Sequence, residues 1–181
     1  MHRLDMSWNL DNIYPGGSGS EAFAAELDGL ERDIAAFERS LRAAEDAPVT
    51  ADLLGEWTRT AQSILARLRE AESFTACLTA ADVADRRAAA LDDRVKNLAA
   101  AFQAVMTLYD SALGAAGDEM FEGWLSSEGG PGAAAFYVAQ RRERAKEKLP
   151  PEQEALAGDL AVNGYHGWGE LYNTIVGRTR F

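Results

Sequence analysis

The chain has 181 residues, 47% of them apolar and 26% charged, a balance that excludes intrinsic disorder. A chain of this length buries roughly 70% of its unfolded surface, enough for one well-packed domain or somewhat more. The net charge of −11 repels nucleic acid and anionic lipid at long range, so neither is an expected partner.

No stretch reaches the roughly 20 apolar residues of a membrane span, and the N-terminal MHRLDMSWNL lacks the apolar core of a signal peptide. No membrane partner is therefore expected, and the expected compartment is the cytoplasm. Cys77 is the single cysteine, which rules out an intramolecular disulfide and a cysteine metal cluster; its expected place is a helix interface.

Residues 1–17 read as an extended N-terminal arm anchored by Trp8, Leu10, Ile13 and Tyr14 and closed by a turn at Pro15-Gly16-Gly17. A Ser-x-x-Glu box at Ser18–Glu21, with Ser20 as the alternative cap, starts the first helix. Phe23, Leu27, Leu30, Ile34, Phe37 and Leu41 then alternate at intervals of four and three up to Ala47-Pro48, a stripe that must find a partner surface. Thr50 caps the second helix, whose seam is Leu54, Trp57, Ala61, Ile64, Leu68, Ala71, Thr75 and Leu78. After a break at Asp82 to Asp85, the third carries Ala84, Ala88, Leu91, Val95, Leu98, Phe102, Val105 and Tyr109 and stops at Gly114 and Gly117. Segments of about 25 to 30 residues make rods of roughly 40 Å, and short connections force neighbours antiparallel. The expected fold class is all-α, with residues 18–117 forming a coiled-coil-like bundle of three long helices.

Residues 118–181 read as shorter helices. Asp118 is expected to cap one bearing Phe121, Trp124 and Leu125, and Ser126 to Gly132 reads as a flexible connector and candidate hinge. Ala133 to Lys148 is helical, with Phe136, Tyr137 and Gln140 ahead of a basic run of Arg141, Arg142, Arg144, Lys146 and Lys148. That run reads as the solvated end of a helix whose negative pole favours cations. Pro150, Pro151 and Glu152 open a further helix with Leu156 and Leu160 on one face, closed at Asn163-Gly164. Another follows with Trp168, Leu171, Tyr172 and Ile175 on one face, ending at Gly177. The tail Arg178 to Phe181 is the only segment with an ambiguous strand pattern.

No residue presents itself as catalytic or as part of a metal site. His2 and His166 are the only histidines; His166 and Glu170 stand at i and i+4, but two ligands without a third do not define a zinc site. Gly129-Gly130-Pro131-Gly132 lacks the lysine and hydroxyl residue of a phosphate loop. The remaining candidates for contact with a peptide or another domain are Tyr165, His166, Trp168 and Tyr172, although an aromatic stripe at helical spacing more often lies in a core.

Two stretches carry a resemblance. The opening Trp8-Asn9-Leu10-Asp11-Asn12-Ile13-Tyr14-Pro15-Gly16 and the late PPEQEALAGDLAVNGYHGWGELYNTIVG, with Trp168, Leu171 and Tyr172, are similar in order and distance to the N-terminal domain of oligoendopeptidase F-like zinc metallopeptidases of the thimet oligopeptidase clan. The resemblance implies a parent enzyme that hydrolyses short unstructured peptides in a channel. The parent's zinc would be held by His-Glu-x-x-His in a catalytic domain absent from these residues. For this chain it implies a non-catalytic part that walls the channel, no cofactor of its own, and its own catalytic domain as partner. An apolar face turned toward that domain would make self-association plausible. The alternative is a free-standing helical adaptor that binds another protein.

Overall fold

The structure is a computed structural model that describes residues 10–44 and 47–147 and, beyond them, residues 153, 156, 157, 160, 161, 164, 165 and 167–178. Among these residues there is no strand. The chain forms two compact units, residues 1–142 and residues 143–181.

In the first unit, helices α1 (Glu21–Ala43), α2 (Ala51–Ala81) and α3 (Arg86–Ala115) pack on one another. Each start has a side-chain cap. The hydroxyls of Ser20 and Thr50 accept from the amides of Phe23 and Leu53, and the Asp85 carboxylate accepts from Arg87 and Ala88. Ser20, and not the Ser18 box, thus sets the first start, because Ser18 is wound into a 3-10 turn at Gly17–Gly19. Its hydroxyl, with the Ala88 and Arg87 amides, holds the Asp85 carboxyl below the usual range.

All six stripe residues of α1 are buried, Phe23, Leu27, Leu30, Ile34, Phe37 and Leu41. The eight seam residues expected on α2 are buried as well, joined by Gly55, Thr58 and Phe74; on α3 Leu91 is only partly buried, and Met106 and Leu113 join the buried seam. Each of the three long helices meets the other two, and α2 also meets α4. Pairings fix the directions. Phe23 meets Phe74 with ring centroids 4.7 Å apart while the Trp57 indole donates to Ser40 at 2.9 Å, so α1 and α2 run antiparallel. Thr58 bonds Tyr109 and Thr75 donates to Asp92, so α2 and α3 do too.

Four local expectations are corrected. Ala84 is exposed and precedes α3, because the chain turns at Asp82 to Asp85 before the helix begins. Asp118 does not cap helix α4 (Asp118–Leu125); Gly117 holds the cap position without a side-chain bond, and Asp118 stands in the first turn. The arm is not extended over its described part, which winds through 3-10 turns at Leu10–Asn12 and Gly17–Gly19. Trp8 lies outside the described residues, and Ile13 is exposed while Leu10 and Tyr14 pack on the core. Tyr14 completes an aromatic cluster with Phe23 and Phe74. The connector is a tied turn: Gly130 donates to the Ser127 carbonyl, and a Cβ on Gly130 would sit 2.3 Å from the Trp124 carbonyl oxygen. A glycine is obligatory there for close approach.

Helix α5 (Ala135–Lys146) follows a 3-10 turn at Gly132–Ala134 and buries Val138 and Arg142, one turn apart. In the second unit the described residues 153, 156, 157, 160 and 161 are helical, and Gly164 and Tyr165 keep a wider π-type winding ahead of α6 (Gly167–Arg178). The proposed helix opening at Pro150 to Glu152, Asn163 and the tail 179–181 lie outside the described residues.

Candidate functional site

Three of the four expected contact residues lie in α6 or just ahead of it. Tyr165, Trp168 and Tyr172 are 81%, 70% and 66% exposed, and Leu171, Ile175 and Val176 are exposed as well. The core reading of this stripe is therefore corrected: the helical period is there, but its large side chains are exposed. Leu156 and Leu160 are exposed too. His166 lies outside the described residues. Exposed apolar patches of this kind are what protein interfaces generally bury. Its aromatic rings carry most of the area such a contact would bury.

The basic run divides. Arg144 and Lys146 are solvated as expected, whereas Arg142 is 3% exposed and Arg141 is largely buried against Asp110 at 2.7 Å. Arg142 Nε donates to the Leu113 carbonyl at 3.0 Å, and its Nη2 donates to the Ala116 carbonyl and to Asp118 Oδ1. Its guanidinium also lies over the Phe121 ring at 4.3 Å. These carbonyls belong to the open C-terminal end of α3, where orphan acceptors and the negative helix pole both favour a cation. Only the fork of an arginine reaches two of them together. Sequence reasoning missed this role; the available signal was the i, i+4 pairing of Val138 with Arg142 on α5.

A cavity of about 290 Å³ opens between α2, α3 and the first turns of α5, floored by Leu68, Phe102, Met106 and Val138. Thr58 donates to the Leu54 carbonyl at 2.7 Å, so the Tyr109 hydroxyl is the donor in their shared 2.7 Å bond. Burial pushes the Tyr109 hydroxyl up to about 12, which makes it a neutral wall group and not a base. Cys77 is half-buried and unpaired by a disulfide.

No three His, Cys, Asp or Glu side chains converge to hold a metal ion among the described residues. The donor set of the described residues therefore does not fit a zinc centre. No described helix is long and apolar enough to cross a membrane. Compared with known families, residues 113–181 match the N-terminal family model of the M3 peptidases, described as oligopeptidase F. No curated protein and no solved structure matches the chain.

Proposed function

We propose, on the premise that residues 113–181 carry the N-terminal domain of an oligoendopeptidase F-like peptidase, that this chain is the non-catalytic, substrate-restricting part of a zinc-dependent oligopeptidase. The observation that carries the reading is the exposed apolar surface of α6, which lies inside the matched segment and bears Trp168, Leu171 and Tyr172. In this reading the face packs on the catalytic part of the same enzyme, Tyr165, His166, Trp168 and Tyr172 are interdomain or substrate-contact residues, and short unstructured peptides are the parent's substrates. The bundle would act by exclusion, as one wall of a channel too narrow for folded proteins. Zinc, and the hydrolysis it supports, would reside in the catalytic part, in the cytoplasm.

The test is the reading frame beyond the codon for Phe181. Continuation into a segment encoding His-Glu-x-x-His on a helix supports the proposal. A stop codon there overturns it and turns the exposed α6 face into the docking surface of a helical adaptor.

A further inference from the structure

The cavity between α2, α3 and the first turns of α5 is long for its volume. All of its lining residues belong to the first unit. On α2 they run from Thr58 to Glu72, about 20 Å of helix, and on the antiparallel α3 from Tyr109 back to Ala99, about 15 Å. A volume of about 290 Å³ spread over that length is a slot. An α-helix with its side chains is about 10–12 Å across and does not fit inside it. A dry apolar cavity of roughly 150 Å³ holds one benzene ring, so this one has room for about ten carbon atoms laid end to end. Its floor of Leu68, Phe102, Met106 and Val138 is wholly apolar, and its lips include Leu65 and Tyr137, which are 40% and 49% exposed.

Shape chooses the body of an occupant, and the rim chooses its head. Each cation at the rim already has an acid: Arg69 pairs with Glu72 at 2.8 Å and Arg141 with Asp110 at 2.7 Å. A carboxylate would compete with these acids and meet the repulsion of a chain whose net charge is −11. A cationic head would meet the two guanidiniums. The other polar groups of the rim are uncharged: the carboxamides of Gln62 and Gln103, from α2 and α3, and the Tyr137 hydroxyl, which accepts from Arg141 at 2.8 Å and so keeps its own proton to donate. We infer that the slot between α2 and α3 binds a single unbranched aliphatic chain of about ten carbons with an uncharged polar head, the alkyl or acyl part of a neutral amphiphile. The inference is independent of the peptidase reading, because it rests only on the dimensions and charges of this slot.

The experiment titrates the full 181-residue chain, labelled with carbon-13 at its methionine methyls, with butanol, hexanol, octanol and decanol in turn. Met106 lines the slot and is assigned by Met106→Leu, while Met120 on α4 lies outside it and serves as the internal control. The expected result is a saturable shift of the Met106 methyl, with Kd falling about fourfold for each added CH₂ up to decanol. Met120 should not follow. Ala99→Leu places a branched side chain in the slot from the half-buried side of α3 and should weaken decanol binding by at least about tenfold. The variant should still fold, since leucine is a good helix former and Ala99 is not in the buried core. A Met106 shift that does not saturate, or a Kd indifferent to chain length, would overturn the inference. So would decanoate or cyclohexanol binding as tightly as decanol, or binding unchanged in Ala99→Leu.

Discussion

Replacing Arg142 by alanine removes a side chain that closes the end of α3, and the structure permits a sized expectation. Two carbonyls, of Leu113 and Ala116, lose a charged donor, and both residues are buried. Stranding a buried neutral acceptor costs about 1–3 kcal/mol, and two carbonyls are stranded together here. The ion pair to Asp118 adds little, because that carboxylate is 82% exposed and exposed pairs contribute about 0–1 kcal/mol. Arg142→Ala is therefore expected to cost about 2–6 kcal/mol, which for a chain of this size lowers Tm by roughly 10 °C. Asp118→Asn should cost less than about 1 kcal/mol. Arg142→Met separates packing from hydrogen bonding, since it restores an apolar stem over Phe121 without donors, and it should remain close to the alanine variant. The assay is urea and thermal unfolding followed by the emission of the buried Trp57 and Trp124. If Asp118→Asn matches Arg142→Ala, or methionine restores wild-type stability, the assignment of Arg142 to the α3 carbonyls is wrong.

Phe74→Ala should cost about 3–5 kcal/mol, because its ring joins Tyr14 and Phe23 in the buried cluster; a loss below about 1 kcal/mol in urea unfolding would contradict that packing. Stability should fall as pH rises from 10 to about 12. Burial holds the Tyr109 hydroxyl neutral up to about 12, and burial together with the Glu70 carboxylate does the same for Tyr14, so the unfolded chain loses these protons first. Urea midpoints across that range should decline, with a shallower slope in Tyr109→Phe; a flat profile refutes the assignment. The double variant Leu171→Glu, Ile175→Glu should change stability by no more than about 0.5 kcal/mol per site, since both residues are exposed. It should also abolish any concentration-dependent association seen in sedimentation, and association that survives it would place the sticky surface elsewhere. Metal analysis of the purified chain should find no stoichiometric zinc; one tightly held zinc per chain would require ligands not recognised in the sequence.

The long helices were legible because a seam of period near 3.5 has one interpretation when it is continuous, and all six residues of the α1 stripe are buried where that period places them. Legibility failed where the same letters serve two purposes. Alanine let the α3 seam be extended back to Ala84, across a turn that only the Asp85 cap reveals. Phe74 and Met106 sit beside the expected seam residues, and only a third packed neighbour makes such positions inward-facing. A cluster of basic residues carries no information about which of them faces an open helix end, so Arg142 looked like Arg144. The stripe on α6 has the same period as a core stripe, and its exposure depends on what is packed near it, which no local pattern encodes. The slot between α2, α3 and α5 was equally silent, because a cavity is a property of surroundings brought together from three helices.

The family match begins at residue 113, but the folding unit does not. Phe121, Trp124 and Val138 lie within the matched segment and are buried in a common core with side chains of α1, α2 and α3, all but the last turn of which precede it. Kinship and autonomy thus draw different borders on this chain. A fragment excised at residue 113 would carry three large side chains stripped of their cover and should aggregate when expressed alone. A chimera that exchanges this region with a relative has a sounder junction between Arg142 and Glu143, which leaves Phe121, Trp124 and Val138 with the bundle that shelters them.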